Sequence, residues 1–354
     1  MTKRYRVAVV GAGIGRLHNE GYQALPELFE VALVCDLNLE RARELAALAQ
    51  RAEVTADYDA VVARADVDIV DICVPPFLHH EMVTKALRAG KDVFCEKPLV
   101  GSLAEVDELA ALARETGRRL VPVFQYRFGN GFRKLEHLVR AGAAGRPFVT
   151  SIETHWNRTA GYYAVAWRGR RASELGGAVL SHAIHAHDLI TRLHGPARRV
   201  FARTAVRVNP VETEDCAALC FEMADGALVT HSLTLGSADE VSRFRFCFER
   251  LTAESGGDGP YRPAAEPWRF VPRGEEHAPR IEAALAGFEP APEGFAGLFT
   301  ALHRALAAGA PLPVTMEDAR RSIELAAAIY HSVATGADVA LPIGEDHPAY
   351  RGWL

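Results

Sequence analysis

The sequence lacks the features that mark secreted, membrane-spanning and nucleic-acid-binding proteins. Its six cysteines include no CxxC pair, and they lie in apolar runs, so we expect buried thiols in a reducing compartment, the cytoplasm. Every apolar run is too short to cross a bilayer, and the residues before Val7 are too few and too polar to resemble a signal peptide. The formal net charge of −5 gives no electrostatic reason to expect nucleic acid or an anionic membrane as a partner.

The first part of the chain alternates between short apolar runs and helical patterns. A chain of 354 residues is too long for one typical core and suits two domains. Continuously apolar strands separated by helices predict a doubly wound, mostly parallel α/β sheet over residues 1–125. The predicted strands are Arg6–Val10, Val31–Cys35, Ile69–Val74, Asp92–Cys95 and Leu120–Phe124, and the predicted helices are Leu39–Gln50, His79–Ala89 and Leu103–Thr116.

The pattern changes after Arg127, and residues 126–354 predict an α+β domain. Alternating runs joined by short turns favour an open, mostly antiparallel sheet with one face available to a partner subunit. Residues 256–293 are rich in Gly and Pro and predict a long irregular segment, while the closing helix and strand are expected to pack back toward the first domain. The predicted strands are Phe148–His155, Val200–Val208, Cys216–Met223, Ala227–Leu235, Arg245–Glu254 and Val339–Pro342, and the predicted helices are Phe132–Ala141, Ser181–Leu193, Phe295–Ala308 and Met316–Thr335.

A glycine loop, Gly11-Ala12-Gly13-Ile14-Gly15, follows the first predicted strand. Glycine permits a tight turn and lets backbone amides approach a pyrophosphate, while the following helix N-terminus supplies partial positive charge. The usual GxGxxG spacing is not met, because Arg16 stands at the third glycine position and a glycine comes one residue early. We expect Gly11, Gly13, Ile14 and Gly15 to bind a dinucleotide; the alternative is a plain turn.

Residues at the ends of the next strands complete the predicted cofactor site. Asp36 follows the second strand, where an acid accepts hydrogen bonds from the adenosine ribose and repels a 2′-phosphate, so NAD is favoured over NADP. Arg41 lies one helical turn further and could soften that preference, which leaves NADP possible. Val74 and Pro75 end the third strand, and together with His79 they would form the far wall of the cofactor site, although a double-proline loop can also be only a rigid turn.

Lys97 is the most informative residue of the chain. It ends the apolar strand Val93-Phe94-Cys95 and precedes Pro98. Ligands bind at the strand ends of an open α/β sheet, and a lysine there can hold a hydroxyl or carbonyl oxygen as a compact hydrogen-bond donor. The triplet Glu96-Lys97-Pro98 alone is also consistent with a chance junction between strand and loop.

These motifs in their order resemble the glucose-fructose oxidoreductase, inositol dehydrogenase and MocA family over nearly the whole chain. The family implies a Rossmann domain, a C-terminal domain with an open sheet, a nicotinamide cofactor and hydride transfer at a secondary alcohol of a sugar or cyclitol. It also implies homodimers or homotetramers formed through the sheet face. The motifs that carry the resemblance are the glycine loop, Asp36, Val74-Pro75 with His79, Ala89–Pro98, Tyr126-Arg127-Phe128, Gly176–Leu180 leading to His185, and the closing Pro313-Val314, Arg321-Ser322 and Leu341-Pro342.

The resemblance and the chemistry of alcohol oxidation together assign the catalytic roles. Removing a hydride requires a base near neutral pKa at the hydroxyl, and His185 suits that task. Lys97, carried over from the family motif, would hold the same oxygen and offset its developing negative charge. Glu96 would bind or orient the nicotinamide side.

The segment around His185 departs from many relatives, which often carry an aspartate where this chain has Ser181. If one helix runs through the segment, Ser181 and His185 lie one turn apart with His182 beside them, so Ser181 and His182 are expected to contact substrate. Three nearby histidines also suggest a metal, but no HExxH or cysteine cluster completes a site, and we expect none. The alternative for His182 and His187 is that they are packing histidines. Trp167 and Arg168 are expected to stack on a sugar ring and to bind its hydroxyls or a carboxylate; pinning a loop or contacting another subunit is the alternative.

Three functions are compatible with these residues. The first is an NAD-dependent dehydrogenase of a sugar, cyclitol or sugar derivative. The second is a glycosidase that borrows a hydride transiently and returns it to the substrate. The third is a non-catalytic dinucleotide-binding sensor, in which Ser181 marks lost chemistry.

Overall fold

The computed structural model describes residues 3–49, 52–256 and 259–353. The chain forms two compact units. The first comprises Met1–Gln125 and Gly294–Arg320, and the second comprises Tyr126–Glu293 and Arg321–Leu354. Among the helices of the described residues, none combines the length and the hydropathy needed to cross a bilayer.

The first unit contains a doubly wound parallel sheet, as predicted. Its strand order is β3-β2-β1-β4-β5-β6, every described pair is parallel, and the chain reverses its direction of winding between β1 and β4, where ligands bind in such sheets. Its elements are β1 (Tyr5–Val10), α1 (Gly15–Gln23), β2 (Phe29–Cys35), α2 (Leu39–Leu48), β3 (Glu53–Thr55), α3 (Tyr58–Ala63), β4 (Ile69–Ile72), α4 (His79–Arg88), β5 (Asp92–Cys95), α5 (Leu103–Thr116) and β6 (Leu120–Pro122).

Local sequence signals explain where the elements of this unit begin and end. Helix α5 has the predicted bounds because Ser102 accepts a hydrogen bond from the Glu105 N–H at 3.2 Å and Gly117 ends it with a φ of 64°, which a glycine adopts freely. The prediction was wrong in omitting β3 and α3. Strand β3 has only three residues, so it leaves no apolar run to detect. Strands β4 and β6 are two residues shorter than predicted. The predicted end of α2 at Gln50 lies outside the described residues.

The second unit is built on an open sheet with the order β13-β12-β11-β7-β10-β9-β8-β14. All its described pairs are antiparallel except β7 with β10, which confirms a mostly antiparallel sheet. Its elements, with α12 of the first unit in chain order, are α6 (Asn130–Arg140), β7 (Pro147–Asn157), α7 (Ala160–Tyr163), α8 (Arg171–Glu174), α9 (Ala178–Ser181), α10 (Ile184–His194), β8 (Ala197–Ala205), β9 (Cys216–Met223), β10 (Leu228–Thr234), β11 (Gly236–Phe248), β12 (Leu251–Ser255), β13 (Trp268–Pro272), α11 (Ala278–Ala286), α12 (Gly294–Ala308), α13 (Met316–Thr335) and β14 (Val339–Ala340).

Three predictions in the second unit were wrong, and two of them concern its strands and the segment after them. The single strand predicted at Arg245–Glu254 is two strands, β11 and β12, joined at Glu249 and Arg250. Neither residue is a typical turn former, and backbone hydrogen bonds to Arg146 and Ala144 hold the turn instead. The irregular segment predicted over 256–293 contains strand β13 and helix α11 within its described part.

The predicted helix over Ser181–Leu193 is interrupted. Helix α9 ends at Ser181 and α10 begins at Ile184, so Ser181 and His185 do not share one continuous helical face as the prediction assumed. The Ala183 N–H reaches the carbonyl of Ala178, five residues back, at 2.9 Å. The Ser181 hydroxyl also bonds the Gly177 carbonyl at 2.8 Å. Both features disturb the regular hydrogen bonding of an α-helix. Turns with hydrogen bonds between residues five apart are frequent at functional sites.

Candidate active site

The glycine loop leaves open space above the end of β1. Gly11 has a φ of +102°, and a Cβ there would lie 2.5 Å from the Cys73 carbonyl oxygen, so no other residue fits. A Cβ on Gly13 would meet nothing within 4 Å, which leaves its backbone open to a ligand. A Cβ on Gly15 would lie 2.8 Å from Val9, so Gly15 provides the close contact between helix and strand that the third glycine of the usual spacing provides. These features fit a bound pyrophosphate.

Asp36 holds the glycine loop from the end of β2. One carboxylate oxygen accepts the Ala12 N–H at 2.7 Å, and the other accepts the Asn38 N–H at 2.8 Å. Asn38 in turn caps α2 by accepting the Arg41 N–H at 3.2 Å, and the Arg41 side chain is exposed. The structure therefore places a fixed negative charge beside the loop, where a ribose binds in folds of this kind.

His79 ties the end of β4 to the segment that follows Lys97. Its Nε2 lies 2.8 Å from the Val74 carbonyl oxygen and its Nδ1 lies 2.9 Å from the Pro98 carbonyl oxygen. Burial lowers the pKa of His79, in spite of these backbone contacts. His79 thus fixes the loop that begins at Val74 and Pro75, and its contact with a cofactor stays a prediction.

Lys97 lies just beyond β5, at the same sheet edge as the glycine loop and Asp36. Parallel strands bring their carboxyl ends to one edge, and β1, β2 and β5 carry these three features. Lys97 is partly exposed, and Glu96 is 5% exposed. The Lys97 N–H donates to the Glu96 carboxylate at 3.1 Å, so Glu96 holds the backbone that carries the lysine.

Sequence reasoning missed a buried polar cluster under this edge, which we term the His18 network: His18, Tyr22, Asp71, Cys73 and Glu96. His18 Nδ1 lies 2.8 Å from Asp71, and its Nε2 lies 2.9 Å from Glu96. Tyr22 donates to Asp71 at 2.8 Å. One signal could have revealed it, since Asp71 stands inside the otherwise apolar strand Ile69–Ile72, and a buried acid needs a partner.

The His18 network favours a protonated imidazole between two carboxylates. Burial alone would lower the pKa of His18, but the charge of Asp71 and the hydrogen bond to it raise the pKa well above its ordinary value. Burial would likewise raise the pKa of Glu96, but the hydrogen bond and charge of His18 and the charge of Lys97 hold it below its ordinary value. His18 can then donate from both ring nitrogens.

Three members of this network could also hold a metal ion. Their ligand atoms, from His18, Asp71 and Cys73, lie within 4.8 Å of one another. Metal ligands must be deprotonated, whereas the hydrogen bonds keep a proton on His18, and burial raises the pKa of Cys73 to about 12. We therefore interpret the cluster as a hydrogen-bond network.

In the second unit, His185 lies on α10 and packs against an aromatic ring. Its ring stacks on Tyr126, with centroids 4.2 Å apart and planes within 16°, and His185 is 5% exposed. One turn along the helix, Asp188 accepts a hydrogen bond from the Arg127 Nε at 2.7 Å. Both partners are almost fully buried, so this pair fixes the orientation of α10. Sequence reasoning did not foresee the Arg127–Asp188 pair.

Two other histidines of the same segment have different surroundings. His182 is 6% exposed, and its Nδ1 lies 2.7 Å from the Ser181 hydroxyl. The rings of Trp156 and His182 form a T-shaped pair with centroids 5.2 Å apart. His187 points into the core, where its Nε2 lies 3.3 Å from His231. Burial lowers the pKa of His187 to about 3, so His187 is a neutral packing residue.

Aromatic rings and two arginines surround the segment before α9. Arg168 lies over the Tyr162 ring at 3.8 Å and over Trp167 at 5.2 Å, and its buried Nε has no protein hydrogen-bond partner. Arg158, which sequence reasoning missed, lies against Trp156, Tyr162 and Tyr261 and pairs with Glu240 at 2.7 Å. Of the predicted substrate residues, Ser181 and His182 are in contact, as are Trp167 and Arg168.

Comparison with known proteins relates both units to one family. The family model described as an oxidoreductase family with an NAD-binding Rossmann fold matches residues 5–124, and the model of the GFO/IDH/MocA C-terminal domain matches residues 132–254. Together they match well over half of the chain.

Sequence relatives and a solved structure agree with this match. The chain is 30% identical over 234 residues to an uncharacterized oxidoreductase, YrbE, of Bacillus subtilis, and the matched region covers 64% of this chain and 66% of that protein. It is 39% identical over 150 residues to an inositol 2-dehydrogenase of Rhodococcus erythropolis, and the matched region covers 41% of this chain and 42% of that protein. The chain thus spans two thirds or less of the length of these relatives.

The WlbA dehydrogenase of Bordetella pertussis, solved in complex with NADH and UDP-GlcNAcA, has the same fold. The TM-score is 0.85 at 24% identity, and the match covers 97% of this chain and 100% of that one. An NAD-binding Rossmann domain and a C-terminal domain with an open sheet are thus present, and the chain belongs to the GFO/IDH/MocA family of oxidoreductases.

Proposed function

We propose that this protein is an NAD-dependent dehydrogenase that oxidises a secondary alcohol of a sugar, a cyclitol or a sugar derivative. The observation that carries the proposal is the arrangement of the first unit, in which the glycine loop, Asp36 and Lys97 lie at one edge of the parallel sheet. A cation at that edge of an NAD-binding domain suits a reaction in which an alcohol oxygen gains negative charge.

The cofactor-binding roles follow from the geometry of that edge. Gly11, Gly13, Ile14 and Gly15 would hold the pyrophosphate, and Asp36 would accept hydrogen bonds from the ribose. The fixed charge of Asp36 supports NAD over NADP, and the exposed Arg41 is the residue through which NADP could still bind. When bound, the cofactor supplies the carbon that accepts the hydride.

The chain's own residues would handle the proton and the charge. Lys97 would donate a hydrogen bond to the alcohol oxygen and stabilise the negative charge that develops on it. His185 would take the hydroxyl proton, since an imidazole titrates close to neutral pH. Its stacking on Tyr126 and the buried Arg127–Asp188 pair support this role, because a base must keep its geometry. Glu96 would act through Lys97, whose N–H it accepts.

A ring carrying several hydroxyls fits the polar and aromatic residues of the second unit. Trp167 can stack on the apolar face of such a ring, and Arg168 offers a guanidinium whose Nε has no protein partner for a hydroxyl or a carboxylate. One sequence relative is named an inositol 2-dehydrogenase, and one structure of the same fold holds a nucleotide sugar acid. Both names support a polyhydroxylated ring as the substrate class.

A cofactor and substrate panel tests this function. The purified protein is incubated with NAD or NADP and with inositols, sugars and sugar acids, and the reduced cofactor is measured by absorbance. We expect net NADH with at least one compound and a preference for NAD. Cleavage of an aryl glycoside without net NADH would instead indicate a glycosidase, and tight NAD binding with neither reaction would indicate a sensor.

A lysine substitution then tests the catalytic role. Lys97→Ala should bind NADH as the wild type does and should lose about a hundredfold or more in turnover, the usual cost of removing one donor to a developing oxyanion. Lys85→Ala is the matched control, because Lys85 lies on the surface of the same unit and pairs with Asp59. Turnover of Lys97→Ala equal to that of the control would refute the assignment.

A further inference from the structure

Arg168 lies in a loop whose backbone is held on both sides of it. The Ser173 hydroxyl donates to the Trp167 carbonyl at 2.6 Å, and the Gly169 N–H donates to the Glu174 carboxylate at 2.6 Å. Gly169 has a φ of +71°, and a Cβ there would lie 2.7 Å from a valine side chain, so this position needs glycine. The loop therefore fixes the point from which the Arg168 side chain leaves the backbone.

The Arg168 side chain packs against two aromatic rings. Its guanidinium carbon lies 3.8 Å from the centroid of the Tyr162 ring and 5.2 Å from that of the Trp167 ring. Its Nε is buried without a hydrogen-bond partner, and the guanidinium forms neither a hydrogen bond nor an ion pair with the residues that the structure describes. A partly buried cation without an acceptor is costly to keep, so its presence needs an explanation.

A second arginine on the same Tyr162 ring shows the usual arrangement. Arg158 lies 5.1 Å from the Tyr162 centroid, and its terminal nitrogens donate to Glu240 at 2.7 Å and to the Tyr261 hydroxyl at 2.7 Å. The two arginines thus share one ring. The charge of Arg158 is paired with an acid of the chain, whereas that of Arg168 is not.

Glu174 is the acid whose ionisation Arg168 affects, but it does not take the role of acceptor. Burial raises the pKa of Glu174, and the charge of Arg168 opposes that rise without cancelling it. The Glu174 carboxylate accepts the Gly169 N–H instead, and no ion pair joins it to Arg168 within the described part of the chain. The hydrogen-bonding capacity of the Arg168 guanidinium is therefore left for an acceptor from outside the chain.

The Tyr162 ring connects Arg168 to the segment that carries the predicted substrate residues. The Tyr162 and His182 rings have centroids 5.7 Å apart, so a group bound by Arg168 lies close to that segment. The planar fork of a guanidinium matches the two oxygens of a carboxylate. A phosphate monoester carries about two negative charges at neutral pH, whereas Arg168 offers one cation, and a carboxylate matches that single charge.

We propose that the substrate carries a carboxylate and that Arg168 binds it. The substrate class is then a sugar acid or a cyclitol acid, and neutral sugars and inositols bind less tightly. The inference rests on the proposed dehydrogenase function, because it names the substrate of that reaction, but binding of the acid group can be measured without turnover.

Calorimetric titration of the full-length protein in the presence of NADH tests this binding. Matched pairs of compounds differ only in the acid group: D-glucuronate and D-glucose, D-galacturonate and D-galactose, and UDP-glucuronate and UDP-glucose. We expect the wild type to bind the acid of at least one pair about tenfold to a hundredfold more tightly than its neutral partner, the range for a hydrogen bond to a charged group. This comparison needs no variant.

Variants then assign the preference to Arg168. Arg168→Gln should lose most of the ratio between acid and neutral compound, and Arg168→Lys, which keeps the charge without the planar fork, should retain part of it. Arg170→Gln is the matched control, because the Arg170 side chain is exposed in the same loop, and it should retain the full ratio.

Equal affinity of the wild type for both members of every pair would overturn the inference, as would a wild-type ratio in Arg168→Gln. Tighter binding of glucose 6-phosphate than of D-glucuronate would overturn the choice of a carboxylate. An acid preference that depends on Arg168, without net NADH from any compound, would refute the dehydrogenase and leave the acid site intact. Net NADH from neutral compounds, without an acid preference in binding, would refute the acid site and leave the dehydrogenase intact.

Discussion

Replacing His18 by leucine should destabilise the first unit by about 3–5 kcal/mol at pH 6, the usual cost of removing one partner of a buried ion pair. His18 is fully buried and holds Asp71 at 2.8 Å and Glu96 at 2.9 Å. Leucine has a similar volume, so the cost comes from the two carboxylates that lose their cation. Tyr22 and the Lys97 N–H would still donate to them, which keeps the effect from exceeding this range.

The cost should depend on pH with a definite sign. The raised pKa of His18 means that its stabilisation is fully present below about pH 6.5, the ordinary histidine value, and is lost as the pH rises through the folded-state pKa. The lowered pKa of Glu96 means that its stabilisation is present above about pH 4.5 and is lost as the pH falls through its folded-state pKa. Both contributions are present at pH 6, so the difference between the variant and the wild type should be largest there and smaller in alkaline solution.

Urea unfolding followed by far-ultraviolet circular dichroism measures this difference. His80→Leu is the control, because His80 belongs to the same unit and forms an exposed pair with Glu108 at 3.3 Å, worth about 1 kcal/mol or less. The four tryptophans at 156, 167, 268 and 353 all belong to the second unit, so their fluorescence reports that unit separately. A His18→Leu variant as stable as the control at pH 6, or a loss that grows with rising pH, would refute the charged network.

Three further predictions concern other parts of the chain. Asp36→Ala should relax the preference for NAD over NADP, measured as the ratio of kcat/KM for the two cofactors; an unchanged ratio would remove its ribose role. Lowering the pH from about 6.5 to about 5 should reduce the free energy of unfolding of the wild type by about 2 kcal/mol through His187. Burial lowers the pKa of His187 to about 3, so the unfolded state takes up the proton first. His187→Leu should therefore show a shallower pH dependence in urea unfolding, and equal slopes would contradict this. Val149 and Leu228 are exposed register partners on β7 and β10, and we propose that copies of the chain associate through this face, so Leu228→Arg should reduce the mass measured by light scattering, and an unchanged mass would exclude the face.

The periodic parts of the fold could be predicted from sequence because local signals suffice for them. Helix α5 carries its own start and stop signals in Ser102 and Gly117, and the buried strands of the first unit are continuous apolar runs. Strand β3 has neither signal, since its three residues Glu53–Thr55 are only partly buried and gain their place by pairing with β2.

The position of a candidate site residue could be predicted from sequence where it depends only on the adjacent strand, and not where it depends on a partner distant in sequence. The glycine loop, Asp36 and Lys97 follow strands directly, so their position at the sheet edge follows from topology. His18 and Glu96 are 78 residues apart in sequence, and only the fold reveals that they are hydrogen-bonded. The interruption between α9 and α10 depends on the hydrogen bond from the Ala183 N–H to the Ala178 carbonyl, which spans five residues where an α-helix spans four. No periodicity in the sequence indicates this bond.

We propose that NAD oxidises an alcohol of a polyhydroxylated ring while Lys97 holds the alcohol oxygen and His185 takes its proton, and one measurement tests this proposal most directly. Net NADH formation is recorded over the panel of inositols, sugars and sugar acids for the wild type, Lys97→Ala and His185→Ala, each with its NADH affinity. We expect net NADH from the wild type with at least one compound, little from either variant, and equal NADH binding by all three. Turnover by both variants at the wild-type rate, or no net NADH from the wild type with any compound, would contradict it.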